Sequence, residues 1–208
     1  MLGRGRYAAC TGPSEHGHAW TKTLSINSRF GYNRHDTPAE LRNATFLLHE
    51  LLHSASQGGN LDLSVDAMGD GRIDPYHQAV LLDMGGWLRA NGEAVYNTTA
   101  ARKRQNFTTA DDASTLFYFT AAGGGDGNPL FAIATSWPGG RFSLPLDGRP
   151  CPPAHGVTLL SDLAIRVTPS CGAGAGAGML QLELGAPPAG GVDGTAAMRH
   201  AWAFRIAW

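Results

Sequence analysis

The sequence predicts an α/β fold followed by an all-β domain, and three observations carry that reading. Asn60–Val65 alternates Leu61, Leu63 and Val65 with polar residues, the period-two pattern of a strand; Val80, Leu81, Met84, Trp87 and Leu88 then recur at helical spacing. A strand candidate at Trp20–Ile26 and a helical pattern precede them, so the order is strand, helix, strand, helix. Beyond Tyr96 the helical pattern stops, and short β-rich runs separated by Gly, Pro and Asp clusters take over.

Each element has a local reason. Residues 1–19 are rich in Gly, Pro and His and read as a loop. Trp20, Leu24 and Ile26 mark the first strand, and Ser28–Asp36 a loop. Thr37-Pro38-Ala39-Glu40 reads as a capping box with Pro in the first turn, which predicts a helix over 38–57 stopped by Gly58-Gly59. After Val65 the chain is crowded with Gly and Asp and reads as a loop. Asp74 as N-cap and Pro75 at the first helical position open a helix over 75–91, closed by Asn91-Gly92, residues that tolerate left-handed dihedrals.

Thr98–Ala110 is polar and reads as a connection. Strands are expected at Thr115–Thr120, Leu130–Ser136, Arg141–Leu146, Val157–Leu160, Leu163–Thr168, Met179–Leu184 and His200–Ile206, the spacing of a β-sandwich. The low-complexity run Gly172–Gly178 reads as a hairpin loop. The domains are then 1–95 and 96–208, with residues from about 112 onward expected to fold as a separate sandwich.

The 208 residues are 43% hydrophobic and 16% charged, which suits a packed core rather than a disordered tail. A formal charge of −1 gives no electrostatic case for nucleic acid or an anionic membrane. No apolar run approaches the ~20 residues of a spanning helix. The start, MLGRGRYAAC, lacks the apolar stretch of a signal peptide. Cys10, Cys151 and Cys171 show no metal spacing; Cys151 and Cys171 either pair or remain free thiols. Asn43-Ala-Thr45, Asn97-Thr-Thr99 and Asn106-Phe-Thr108 are glycosylation sequons, which favours a secretory route.

The run GGN-L-x-L-x-V, the loop ending DG-x-I, and the helix ending GxWLxxNGEAVY resemble the family-29 glycoside hydrolases, the α-L-fucosidases. Trp20 and Phe30-Gly31-Tyr32-Asn33 resemble the same family's Trp-Glu and aromatic-Gly-Tyr signatures, and the likeness covers residues 7 to 146 best. The resemblance implies the last units of a (β/α)8-type barrel followed by a C-terminal β-sandwich. A whole barrel runs to about 250 residues, so the chain would hold a C-terminal portion.

It also implies retaining removal of terminal α-L-fucose from fucosylated glycans, with no cofactor, in a secreted, lysosomal or vacuolar setting; homo-oligomerisation stays open. Ser64-Val65-Asp66-Ala67 stands where the family reads Asn-Val-Gly-Pro. The family's nucleophile strand has no counterpart here, so the chain alone is expected to be inactive. Glu15 is the nearby acid for the acid/base role, because the positions after Cys10 are Thr11 and Gly12. Phe30, with Trp20 and Tyr7, is the substrate-contact candidate, Phe30 as an apolar wall for the fucose methyl group.

Two other patterns bear on function. His49-Glu50-Leu51-Leu52-His53 matches HExxH, which on a helix can hold zinc between two His and lend Glu as base. The third His of the longer zinc pattern is replaced by Gly59, and the two His fall opposite the apolar face of Leu41, Leu47, Leu48 and Leu52, where surface exposure is expected. A zinc metallopeptidase is therefore the rival enzyme, and a non-catalytic carbohydrate-binding or structural remnant the rival outside catalysis. Asp66, Asp70 and Asp74 fall at positions 1, 5 and 9 of a calcium-type loop, but His77 takes the place of its closing Glu at position 12. No metal is expected at either.

Overall fold

A computed structural model describes residues 20–101, 106–108, 115–123, 128–172, 178–184 and 200–208. Strand β1 (Thr21–Ser25) runs parallel to β2 (Asn60–Ser64), with Ser25 beside Ser64 at their carboxyl ends. Helix α1 (Ala44–Ser56) makes the crossover, and helix α2 (Pro75–Asn91) follows β2.

Local chemistry sets most of these ends. Asp74 caps α2 by accepting from the Tyr76 amide at 2.8 Å, with Pro75 at the first position. Helix α1 ends in a Schellman turn: Gly59 N–H bonds Ser54 O at 2.9 Å and Gly58 N–H bonds Ala55 O at 3.0 Å. Gly58 takes φ +77°, which costs a glycine nothing.

The expected start of α1 at residue 38 is wrong by six positions. Glu40 does reach back to the Thr37 amide and hydroxyl, both at 2.9 Å, but this box closes only a turn. Arg42 N–H donates to Ile26 O at 2.8 Å, and its guanidinium donates to the carbonyls of Ser25 and Asn27. Those bonds hold the chain against the end of β1, so the helix begins afresh at Asn43, which caps Phe46 N at 2.8 Å. At the end of α2, Gly92 stays right-handed (φ −61°) and leads into a 3-10 turn; the left-handed residue is Asn97. A Cβ on Gly92 would meet the Tyr96 ring at 2.9 Å, so packing explains that glycine.

The remaining strands are β3 (Thr98–Ala100), β4 (Asn106–Thr108), β5 (Leu116–Ala122), β6 (Leu130–Ala134), β7 (Arg141–Pro145), β8 (Val157–Leu159), β9 (Val167–Cys171), β10 (Met179–Leu184) and β11 (Trp202–Ile206). They form a six-stranded sheet ordered β3-β5-β6-β11-β8, with β4 also on β5, and a three-stranded sheet ordered β7-β10-β9. Thr98–Ala110, expected as a connection, supplies β3 and β4, so the large sheet begins at Thr98 and a cut at residue 112 would remove both. The strand expected at Leu163–Thr168 begins only at Val167, because residues 161–165 form a turn. Cys151 and Cys171 are joined by a disulfide, with Cα atoms 6.0 Å apart. Cys10 and most of the Gly172–Gly178 run lie outside the described residues.

The large sheet is buried on both faces. Phe117, Phe119, Ala132, Ala134, Trp202 and Phe204 point into a core shared with Phe142, Leu144, Leu180 and Leu182 of the small sheet. Tyr118, Phe131, Ile133, Ala201 and Ala203 point the other way, into a core with Leu47, Leu48 and Leu52 of α1 and Val80, Met84 and Trp87 of α2. Trp87 is fully buried and donates to Ala201 O at 2.8 Å. The helical half and the sandwich therefore share a core.

Phe131 is fully buried on the helix-facing side. Phe131→Ala should cost about 3–5 kcal/mol in urea unfolding of the whole chain. A loss below about 1 kcal/mol would mean that the helices do not seal this face.

Candidate functional site

The carboxyl ends of β1 and β2 form a rim, and a cleft of about 230 Å³ opens beside it, lined by Thr23, Leu24, Ser25, Ser28, Arg29, Phe30 and Arg42. Phe30 stands at this rim with 59% of its surface exposed, too much for a core residue. Trp20 lies at the other end of β1. Its indole covers Gly59, where a Cβ would fall 2.3 Å from the ring, and donates to Gln57 O at 3.4 Å. Trp20 and Phe30 thus do not line a common cleft, and Trp20 acts in packing. Glu15 and Tyr7 lie outside the described residues.

Behind Phe30 is a polar network that the sequence reading missed. Asp66 accepts from Ser25 Oγ at 2.9 Å, Asn27 Nδ2 at 3.2 Å and Ser64 Oγ at 3.1 Å. Asn27 Nδ2 also donates to Gly31 O at 3.2 Å, and Asn27 Oδ1 lies 2.8 Å from His77 Nε2. Ser25, Asn27 and His77 are buried, at 2%, 2% and 1% exposure. The signal available in the sequence was Asp66 itself, a carboxylate where the resembled pattern carries Gly.

The Asp-rich loop gives each carboxylate a separate partner. Asp70 pairs with Arg72, whose guanidinium and amide hold its carboxyl below the usual range. Asp74 caps α2 and Asp66 joins the rim network. Among the described residues, no group of three His, Cys, Asp or Glu is placed to share a metal ion.

The HELLH histidines are not surface groups, which corrects the expectation. His49 Nε2 lies 2.9 Å from His200 O, and His53 Nε2 lies 2.6 Å from Gln57 Nε2. The His53 ring packs 5.8 Å from that of Tyr118 on the large sheet. Glu50 pairs with Lys22. The sheet covers the helix face that looked free, because the chain returns with His200 and β11 some 150 residues later. His200 itself is buried between the helices, its Nδ1 2.7 Å from Thr45 Oγ1 and its Nε2 3.0 Å from Asp83 Oδ2. The sequon residues Asn43, Asn97 and Asn106 are all exposed.

Residues 9–93 match the α-L-fucosidase family. The tissue α-L-fucosidase of Bos taurus is 41% identical over 80 residues, 38% of this chain and 17% of that protein. The tissue α-L-fucosidase of Homo sapiens is 31% identical over 122 residues, 58% of this chain and 24% of that protein. The Thermotoga maritima α-fucosidase in complex with fucose superposes with a TM-score of 0.71 at 25% identity, over 92% of this chain and 40% of the enzyme. These likenesses make the chain similar to the α-L-fucosidases, a class of glycoside hydrolase, and support that family for it. It spans about a fifth of the length of the curated relatives it matches.

The setting of His53 has a consequence for stability. Burial, then the Lys22 charge, push its pKa below 6.5, while Glu50 opposes them. The folded state therefore favours neutral His53. Its contribution to stability is complete above pH 6.5 and is lost as pH falls below that value. His53→Gln should lose less stability than the wild type between about pH 8 and about pH 5 in urea titrations. Equal losses in the two proteins would show that His53 titrates alike folded and unfolded.

Proposed function

We propose that the chain forms part of a retaining α-L-fucosidase that removes terminal α-L-fucose from glycans, with the carboxyl rim of β1 and β2 as a wall of its sugar site. The observation that carries this reading is the exposed Phe30 ring at that rim, in a chain whose residues 9–93 match the family. Under it, β1–α1–β2–α2 are units of a (β/α) barrel, whose catalytic face lies at the carboxyl ends of the strands. Phe30 is the apolar wall for the fucose methyl group.

Retaining chemistry needs a carboxylate nucleophile and a carboxyl acid/base about 5–5.5 Å apart. Glu15 is retained for the acid/base role and Tyr7 as a substrate contact; the nucleophile is assigned to no residue of this chain. The 208 residues alone are then expected to bind the sugar without turning it over. The Cys151–Cys171 disulfide and the exposed sequons at Asn43, Asn97 and Asn106 support glycosylation and a secreted or lysosomal lumen.

The test compares L-fucose with L-galactose, which carries a hydroxymethyl group where fucose has a methyl. Burying the methyl contributes about 0.8 kcal/mol, so fucose should bind about fourfold tighter in NMR titrations. Phe30→Ala should abolish that preference. Equal binding of the two sugars by the wild type, or release of nitrophenol from an aryl α-L-fucoside by the chain alone, would overturn the respective parts of the reading.

A further inference from the structure

Five side chains from three separate segments converge behind the Phe30 loop, and their donors and acceptors interlock. Asn27 Nδ2 has two acceptors, Gly31 O at 3.2 Å and Asp66 Oδ2 at 3.2 Å. Its orientation is thereby fixed, and Oδ1 is left to accept. The group facing Oδ1 is His77 Nε2 at 2.8 Å, so that nitrogen carries the hydrogen. His77 Nδ1 is buried and has no hydrogen-bond partner among the described residues. On the other side, Asp66 joins the ends of both strands, since Ser25 and Ser64 are register partners and both hydroxyls donate to it.

The network's outlet is the Gly31 carbonyl, in the Gly31–Tyr32 peptide unit one residue beyond Phe30. Gly31 has φ +97°, a conformation a side-chain-bearing residue resists, and a Cβ there would meet nothing within 4 Å. The glycine thus serves the loop's path, not close packing. Phe30 is exposed, so contacts to its own ring hold it only in part. A hydrogen bond to the next carbonyl fixes the backbone from which that ring projects.

We propose that Asp66, Asn27 and His77 form a positioning relay, from α2 through the ends of β1 and β2 to the Gly31 carbonyl, that holds the Phe30 ring in place for an apolar sugar substituent. The placement of the ring rests on these contacts alone. Its use for fucose rests on the function proposed above, and the two are separable by experiment.

The whole chain carries 4-fluorophenylalanine at position 30 for 19F NMR. Asp66→Ala and His77→Ala should shift and broaden the ring signal. Asp66→Asn should restore it, because the amide oxygen can serve Ser25 and Asn27 while its nitrogen faces Ser64 Oγ. His77→Gln should restore it through an amide donor to Asn27 Oδ1. If the loop then holds its competent arrangement about a tenth of the time, the alanine variants bind L-fucose about tenfold more weakly. An unchanged ring signal in both alanine variants overturns the relay. A disturbed signal in them, with a wild-type signal that ignores L-fucose, supports the relay and overturns the fucose reading. Should the alanine variants fail to fold, the tautomer of His77 in the wild type decides: a long-range 1H–15N spectrum with the hydrogen on Nε2 supports the relay, and one with it on Nδ1 overturns it.

Discussion

The constraint on which the structure depends is the double-sided burial of β5, β6 and β11. Along β6, Phe131 and Ile133 face the helices while Ala132 and Ala134 face the small sheet. Its neighbours reverse the sizes. Phe119 and Phe204 flank Ala132 in register, and Ala203 sits opposite Ile133. On the small-sheet face large rings thus flank each small residue of β6, and on the helix face Ala203 leaves room beside Ile133, which fills the layers without overpacking. Ala201, just before β11, and Ala203 within it are small, and Trp87 of α2 reaches the Ala201 carbonyl there.

This packing positions the site although it lies far from it. With α1 and α2 packed on the large sheet, Leu24 of β1 and Leu63 of β2 join the same core, which seats the two strands beside the helices. His77 is in the first turn of α2, one residue beyond Tyr76, whose amide the Asp74 cap holds. A side chain there can meet Asn27 only because α2 is seated. Arg42, between the strand end and α1, ties the same loop from the other side through the Ser25 and Asn27 carbonyls. The rim is thus braced from both helices, and its exposed member, Phe30, is a small part of a buried assembly.

Elements whose ends are set by neighbours in sequence were legible. Helix α2 needed only Asp74, Pro75 and its apolar spacing, and β2 only its alternation. Where a distant contact decides, the sequence was silent or misleading. The Thr37–Glu40 box forms its hydrogen bonds, yet Arg42 diverts the chain before a helix can follow. Strands β3 and β4 are polar edge strands that owe their conformation to β5, so no apolar alternation announced them.

The same division runs through the site. Phe30 was singled out by its spacing from Trp20, and the two rings part to opposite ends of β1, Phe30 to the cleft and Trp20 to Gly59. The relay was illegible because its members sit at 25, 27, 64, 66 and 77 and share no spacing. The HELLH motif fails in the reverse sense. Its spacing guarantees that His49 and His53 share a helix face, and they do. Spacing does not say what that face meets. Here it meets Tyr118 and the His200 carbonyl, so the face is covered by the sheet rather than open to solvent. A four-residue interval on a helix fixes direction alone; the chemistry available to those two rings was decided by residues that lie beyond the reach of any local pattern.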